Sequence, residues 1–517
     1  MKLLDLFRKT PPVTVVPQRY TPPRQSFKQA WQASAINRLT QSWYVQLQSP
    51  SKEMQYDILR LRGISRYLSR NDVYTARYAE LLQVHVVGSN GVQLTARVNG
   101  PDGNANAEVN EEIIEKWDDW KWNYASLDGQ MSFLDIEQLI IKTVAIDGEI
   151  FVRLVTSPSL PMGFALELID ADRLDLNFNT AMDSRTNTFV VQGIEMDKFG
   201  KPVAYHFWSA HPDDAGVRPI ERTRILASDI LHLYRPDRPG RVRGIPWTAP
   251  SMYFLARLHE YMDAELVAAQ AGASQLATIE QPMGDSSAYM NQTADVTAET
   301  IDLPQGVMIR LAPGEKMNPW VSNKPNTAFN PFIKTILHGI ASALNVSYSS
   351  LASDTSEENY ASGRLGILLE REYFKTIQSW LIRNLHQKIY PIWLDCAMST
   401  GTITLPTDNV DDYDEVMWRG RRWAWADPAK EAKAFEGLIA MNLMSKTAVV
   451  AEQGLDYIDV LGERFEEEKR EREYAKELVE MGLPPIAPAV APVAPIVEDD
   501  VPVKPDTETE DTQDEQT

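Results

Sequence analysis

Apolar residues recur at spacings of three and four over long stretches of this chain and cluster in short runs between them, which predicts long helices around a β-rich segment. From residue 51 to about 84 the pattern is helical, carried by Ile58, Leu61, Ile64, Leu68, Ala76, Ala79 and Leu82. Val84-His85-Val86-Val87, the glycines Gly88 and Gly91, and then Val92, Leu94 and Ala96 predict strand, turn, strand, with His85 a half-buried strand residue. Helices follow over residues 110–124, which contain Trp117, Trp120 and Trp122, and over 133–146. Asp147-Gly148-Glu149 is a turn into the strand Ile150-Phe151-Val152-Arg153-Leu154. Short strands with turn signals then run to Tyr234, an α+β region with mostly antiparallel pairing.

A helix begins near Thr248, with Pro250 in its first turn, and ends in alanines up to Ala273. Residues 281–326 turn to Gly, Pro, Thr and β-like runs such as Gly306-Val307-Met308-Ile309-Arg310-Leu311. Asn330-Pro331 reads as a cap and first-turn proline for a helix with the apolar face Ile333, Ile336, Leu337, Ile340 and Leu344. A polar loop is expected over 347–359, then a helix over 360–389, on the order of 45 Å long, stopped before Pro391. Thr402-Ile403-Thr404-Leu405 reads as a strand, and Asp427-Pro428 opens a helical block with Ser445 and Asp456 as further caps.

The two ends break this pattern. Residues 1–25 are Pro-rich and basic, an extended arm that needs a partner surface to become ordered. Past Pro484 come Pro, Ala and Val repeats, then a Thr-rich tail in which Glu498, Asp499, Asp500, Asp506, Glu508, Glu510, Asp511, Asp514 and Glu515 face Lys504 alone, so disorder is expected. At 517 residues, 44% of them hydrophobic and 24% charged, the chain is expected to fold as several soluble domains. The single cysteine, Cys396, excludes an intrachain disulfide framework and multi-cysteine metal sites. No apolar run reaches the roughly 20 residues of a membrane span, and the expected compartment is the cytoplasm. A net charge of −21 argues against a surface that wraps nucleic acid tightly.

Catalytic motifs are sparse. The phosphate-binding G-x-x-x-x-G-K-[ST], the nucleophile elbow G-x-S-x-G and the zinc motif H-E-x-x-H do not occur, and the seven histidines are scattered. Asp147 with Glu149, and Glu167 with Asp170 and Asp172, are the candidate carboxylates for a metal or for acid/base work; in a strand Asp170 and Asp172 would share a face, although short acidic turns also cap helices and close hairpins. Arg419, Arg421 and Arg422 interleave with Trp418, Trp423 and Trp425 as in single-strand binders, although Asp411, Asp412, Asp414 and Glu415 just upstream favour ion pairing and Arg–Trp stacking.

Five segments, in order, resemble the portal proteins of lambda-like tailed phages. They are Arg62, Arg66 and Leu68 with Arg70-Asn71, leading to Val86-Val87-Gly88; Trp117 to Trp120 with Asp128-Gly129 and Asp147-Gly148-Glu149; and Glu167, Asp170 and Asp172 with Gly193-Ile194-Glu195 and Gly200-Lys201-Pro202. Then come Ile230-Leu231-His232 with Arg238-Pro239-Gly240-Arg241-Val242-Arg243-Gly244-Ile245-Pro246-Trp247, and finally Asp354-Thr355-Ser356-Glu357-Glu358-Asn359-Tyr360-Ala361-Ser362-Gly363-Arg364, with Ala361-Ser362 where the family often has two serines.

The resemblance implies an α+β portal fold, no catalytic residues, no metal and no cofactor. It implies an N-terminal arm (1–25), a β-rich wing (26–247), a first stem helix (248–280), a small clip (281–329), a second stem helix (330–346), a tunnel loop (347–362), a return to the wing (363–426), a helical crown (427–482) and a disordered acidic tail (483–517). It also implies a ring, usually of twelve subunits, at one capsid vertex of the virion, assembled in the host cytoplasm and passing double-stranded DNA non-specifically. The implied partners are the terminase large subunit, head-completion and connector proteins, and the major capsid and scaffold proteins. The loop residues Asp354, Ser356, Glu357, Glu358, Asn359, Tyr360 and Arg364 would face DNA, with the acids repelling phosphate. A metal-dependent nuclease, or a DNA-binding module built on Arg421 and Trp423, is the alternative.

Overall fold

The computed structural model describes residues 47–480 apart from 99–105, 217–218, 275–276, 281–315, 320–328, 357–358, 408, 424–427 and 453–456. The N-terminal arm, the run at Gly306–Leu311, Asp427, Asp456 and the acidic tail lie outside the described residues. Helix α1 (Pro50–Asn71) begins where Ser49 accepts the Lys52 N–H at 3.4 Å, with proline at the first position. The helical stretch expected to residue 84 is divided in two at Asp72. Its carboxylate accepts the Thr75 N–H and hydroxyl, both at 2.7 Å, and caps α2 (Val73–Leu82), because aspartate serves better as a cap than inside a helix.

The strand expected at 84–87 is a second correction. Gln83–Val87 is a π-helical turn that continues α2 and stops at Gly88, where φ is +78°. The carbonyls of His85 and Val86 are met by the side-chain amide of Gln378 at 3.3 and 3.0 Å, a partner no local pattern reveals. His85 is half-buried there, stacked on Phe374 with ring centres 5.0 Å apart.

After β1 (Gln93–Ala96), α3 (Ala107–Asn123) buries Trp117 and Trp120 while Trp122 stays half exposed. Helix α4 (Phe133–Asp147) opens on a capping box between Ser132 and Asp135 and closes at Gly148, where φ is +90°. Strands β2 (Glu149–Thr156) and β3 (Phe164–Ile169) pair antiparallel, with Arg153 opposite Glu167. Strands β4 (Thr180–Asp183), β5 (Thr188–Val191), β6 (Ile194–Asp197), β7 (Pro202–Trp208) and β8 (Arg222–Leu226) form an antiparallel meander. Strand β9 (Ile230–Tyr234) returns to the free edge of β2. Between the two sheets sits a small core in which Phe151 meets Phe207 edge-on at 5.0 Å.

Helix α5 (Ala249–Ser274) leads to β10 (Ala277–Glu280), which pairs antiparallel with β11 (Lys316–Pro319), and the chain returns through α6 (Phe329–Leu344). Asn330, expected as the cap, lies inside α6. The expected polar loop contains the short helix α7 (Tyr348–Ala352), capped by Ser347. Helix α8 (Tyr360–Leu381), a π turn (Ile382–His386) and α9 (Gln387–Ser399) then run on through Pro391. Proline in a helix interior costs about 3 kcal/mol. Burying Tyr390, Trp393 and Leu394 together, at about 1.5–3 kcal/mol for each such side chain, outweighs that.

No strand forms at 402–405. The Ile403 N–H is taken by the Ala397 carbonyl at 3.3 Å and the Thr404 N–H by Glu112 at 3.1 Å, so this segment seals the end of α9. The strand in this region is β12 (Val416–Arg419), and it is β12 that pairs with β1, Gln93 opposite Arg419. Helices α10 (Pro428–Ala440), α11 (Lys446–Glu452) and α12 (Tyr457–Glu480) follow, with the Ser445 hydroxyl accepting the Ala448 N–H as expected. The main core joins α3, α4, α9 and β12: Trp117 lies 5.0 Å from both Trp120 and Trp393. The tryptophans at 117 and 120 are core.

Candidate functional site

The acid-bearing loop begins where α6 ends at Asn345, a left-handed residue with φ +57°. Ser347 caps α7 by accepting the Ser350 N–H at 3.1 Å, and Ser350 donates its hydroxyl to the buried Glu370 of α8 at 2.8 Å. Burial pushes the Glu370 carboxyl up. Asp354, expected to face DNA, is braced within the loop. It accepts the Ser356 N–H at 3.0 Å and the Tyr348 hydroxyl at 2.8 Å, and Lys334 of α6 lies 3.4 Å away. Ser356 first, then Tyr348 and Lys334, hold its carboxyl well below the usual range. Sequence reasoning missed Lys334 because it sits twenty positions upstream, on the preceding helix.

Asn359 is exposed and its carbonyl accepts the Gly363 N–H, while Tyr360 opens α8. Arg364 is ion-paired to Glu431 of α10 at 3.0 Å and so ties the loop's far end to the C-terminal helices. Glu357 and Glu358 lie outside the described residues.

The second candidate set comes together, but not as a metal site. Asp170 and Asp172 do not share a strand face. Asp170 caps a 3₁₀ turn, Ala171–Arg173, by accepting the Asp172 N–H at 2.8 Å. Glu149, fully buried, takes Arg62 at 2.5 Å, Arg243 Nε at 2.6 Å, the Gly244 N–H at 2.7 Å and His232 at 3.0 Å. Arg66 grips Asp147 with two bonds of 2.8 Å and reaches both Asp170 and Asp172. Burial alone would raise the Glu149 carboxyl, but Arg243, Arg62 and His232 hold it well below the usual range. The carboxylates that a metal would need are bound by arginine, and among the described residues no group of acids, histidines or cysteines is arranged to hold a metal. Arg62 and Arg66, one helical turn apart, were the sequence signal for this cluster.

The arginine–tryptophan set is divided. Trp418 packs edge-on against Trp117 at 5.4 Å in the core, Trp423 donates its indole N–H to His85 at 2.9 Å, and Trp425 lies outside the described residues. Arg421 donates to the Val84 carbonyl and to His85, and the stacking cation on Trp423 is Arg371, from α8. With Trp418 and Trp423 committed inside the fold, this set offers no row of exposed rings for bases among the described residues.

These contacts carry a pH signature. Burial first, then Arg421, Arg371 and Arg77, push the His85 imidazole down to about 4, and burial likewise lowers His232. A histidine near 6.5 in the unfolded chain therefore takes up a proton before the folded one does. The stability it contributes is complete above that value and is lost as pH falls toward 4. Urea unfolding should show a midpoint that drops steadily between pH 7 and pH 4.5, with a shallower slope in His85→Gln. A flat midpoint across that range contradicts the assignment.

Comparison with known proteins places this architecture. The model for phage portal proteins of the lambda family matches residues 37–378. A probable portal protein of Halomonas phage phiHAP-1 is 31% identical over 460 residues, covering 86% of each chain, and portal protein B of Escherichia phage lambda is 22% identical, covering 78% of this chain and 82% of its own. Among solved structures, a chain in the neck of an empty gene transfer agent particle is 14% identical, with a TM-score of 0.44, over 77% of this chain and 94% of its own. The protein is a phage portal protein. It belongs to the lambda family of them.

Proposed function

We propose that the protein is a structural, non-enzymatic subunit of a homo-oligomeric ring at one capsid vertex, through which double-stranded DNA is packaged and ejected. The family match over residues 37–378 carries this reading. The surface of the single subunit supports it. Leu365, Leu368 and Leu369 on α8 and Tyr253, Phe254, Leu266 and Val267 on α5 are all exposed, and apolar faces of this size call for a neighbouring chain. In the ring, residues 26–247 serve as the wing, α5 and α6 as stem helices flanking a clip, residues 347–362 as the tunnel loop, and 427–482 as the crown. The clip docks the terminase large subunit and later the head-completion proteins, with capsid and scaffold proteins around the ring. Assembly takes place in the host cytoplasm.

Negative-stain electron microscopy of the purified protein tests the reading: rings with a central hole are expected, and a subunit that stays monomeric under all assembly conditions refutes it. Within the loop, Asp354 also serves as a structural brace, and it repels phosphate together with Glu357 and Glu358. Changing the two glutamates to lysine is expected to slow packaging in a reconstituted assay, since tighter phosphate contact retards sliding. An unchanged rate counts against this role.

A further inference from the structure

A groove of about 1170 Å³ lies between the β4–β8 sheet and β9, with Ile230, Leu231, His232 and Tyr234 on the β9 side. Phe189, Val191, Met196 and Leu226 line it, and Phe199, 82% exposed, stands at its rim. Pockets for small ligands run to roughly 300–1,000 Å³, so the size suits a peptide segment. Ser51, in the first turn of α1, also forms part of the wall. The chain is fastened there from both sides: the Gln192 side chain donates to the Ser51 carbonyl at 2.7 Å, and Arg238 donates to the Gln48 carbonyl at 3.2 Å while pairing with Glu53 at 3.0 Å. Leu47, just before this anchor, is fully exposed.

We infer that this groove is the docking site for the chain's own N-terminal arm, with Trp43, Tyr44 and Val45 seated in it. Forty-six residues precede the described chain, and they enter it at the groove wall. Trp43 lies eight residues before Ser51, a span of at most about 29 Å, so the segment has little choice of surface. Its composition fits: Ile36, Leu39, Trp43, Tyr44, Val45 and Leu47 are apolar or aromatic and need burial, and Phe189, Val191, Met196 and Leu226 give the groove an apolar strip among polar walls that include Asp197 and Lys201. Such an arm would cover the face of the meander and hold β5 and β6 closed.

Disulfide trapping in the full chain tests it. With Cys396→Ala to remove the free thiol, Ser42→Cys and Ser228→Cys place one thiol on the arm and one on the groove wall. Oxidation is expected to give a link within one chain. In the otherwise native protein, the triple variant Trp43→Ser, Tyr44→Ser, Val45→Ser is expected to speed amide exchange in β5 and β6 by about tenfold, because their cover is lost. Both results are required. A link that joins two subunits, no link at all, or unchanged exchange overturns the inference.

Discussion

Replacing Glu149 by alanine is expected to cost about 3–5 kcal/mol of subunit stability, enough to deplete folded protein in cells, because it strands the buried guanidiniums of Arg62 and Arg243. The carboxylate does more than pair charges. It ties α1, the start of β2 and the 243–244 segment to one point, and it accepts the Gly244 N–H as well. The backbones at that point are in direct contact. A Cβ on Gly244 would run into the Gly148 carbonyl, so no larger residue can be accommodated there without moving the corner. Glu149→Gln keeps the shape but not the charge and should lose nearly as much. The double variant Glu149→Leu, Arg243→Met should be milder than Glu149→Leu alone, since it removes one of the two stranded charges. Urea unfolding of the four variants reads this directly. A loss below 1 kcal/mol in Glu149→Ala would mean that the cluster is solvated and does not hold the corner together.

Changing Leu365 and Leu369 to glutamate is expected to leave the subunit folded and stop it from assembling. Both side chains are exposed, at 60% and 66%, on the outer face of α8, while Phe374, Ile377 and Leu381 on its inner face are buried. The substitutions therefore touch no core contact. Each leucine buried at a subunit boundary contributes about 1.5–3 kcal/mol, so losing two weakens every contact by at least about 3 kcal/mol, more than a hundredfold in each association step. Mass photometry should show rings for the parent and single subunits for the variant, with matching circular dichroism. Rings that persist at nanomolar concentration would place the boundary on another face.

Helix positions were largely legible in the sequence because amphipathic helices announce themselves through local spacing, as in α3, α4 and α6. The misreadings share one cause. Val84 to Val87 looked like a strand because a short β-branched run fits either class, and Gln378, nearly three hundred residues away, meets the carbonyls of the π turn. Pro391 looked like a stop because the packing of Tyr390 and Trp393 is not visible locally. The site was legible in part. Its loop and turn acids could be named from the sequence, but Glu370 and Glu431 could not, nor whether each acid is free or paired.

The order of amphipathic segments, the absence of the familiar catalytic motifs and the five family motifs follow from the sequence alone, since each is a property of neighbouring residues. The tertiary structure decided which charges are neutralised. Arg62 and Arg243 claim Glu149, Lys334 approaches Asp354, and Arg364 finds Glu431. Ion pairs form between whichever side chains the packing brings within a few ångströms, and that packing is set by a core assembled from distant parts of the chain.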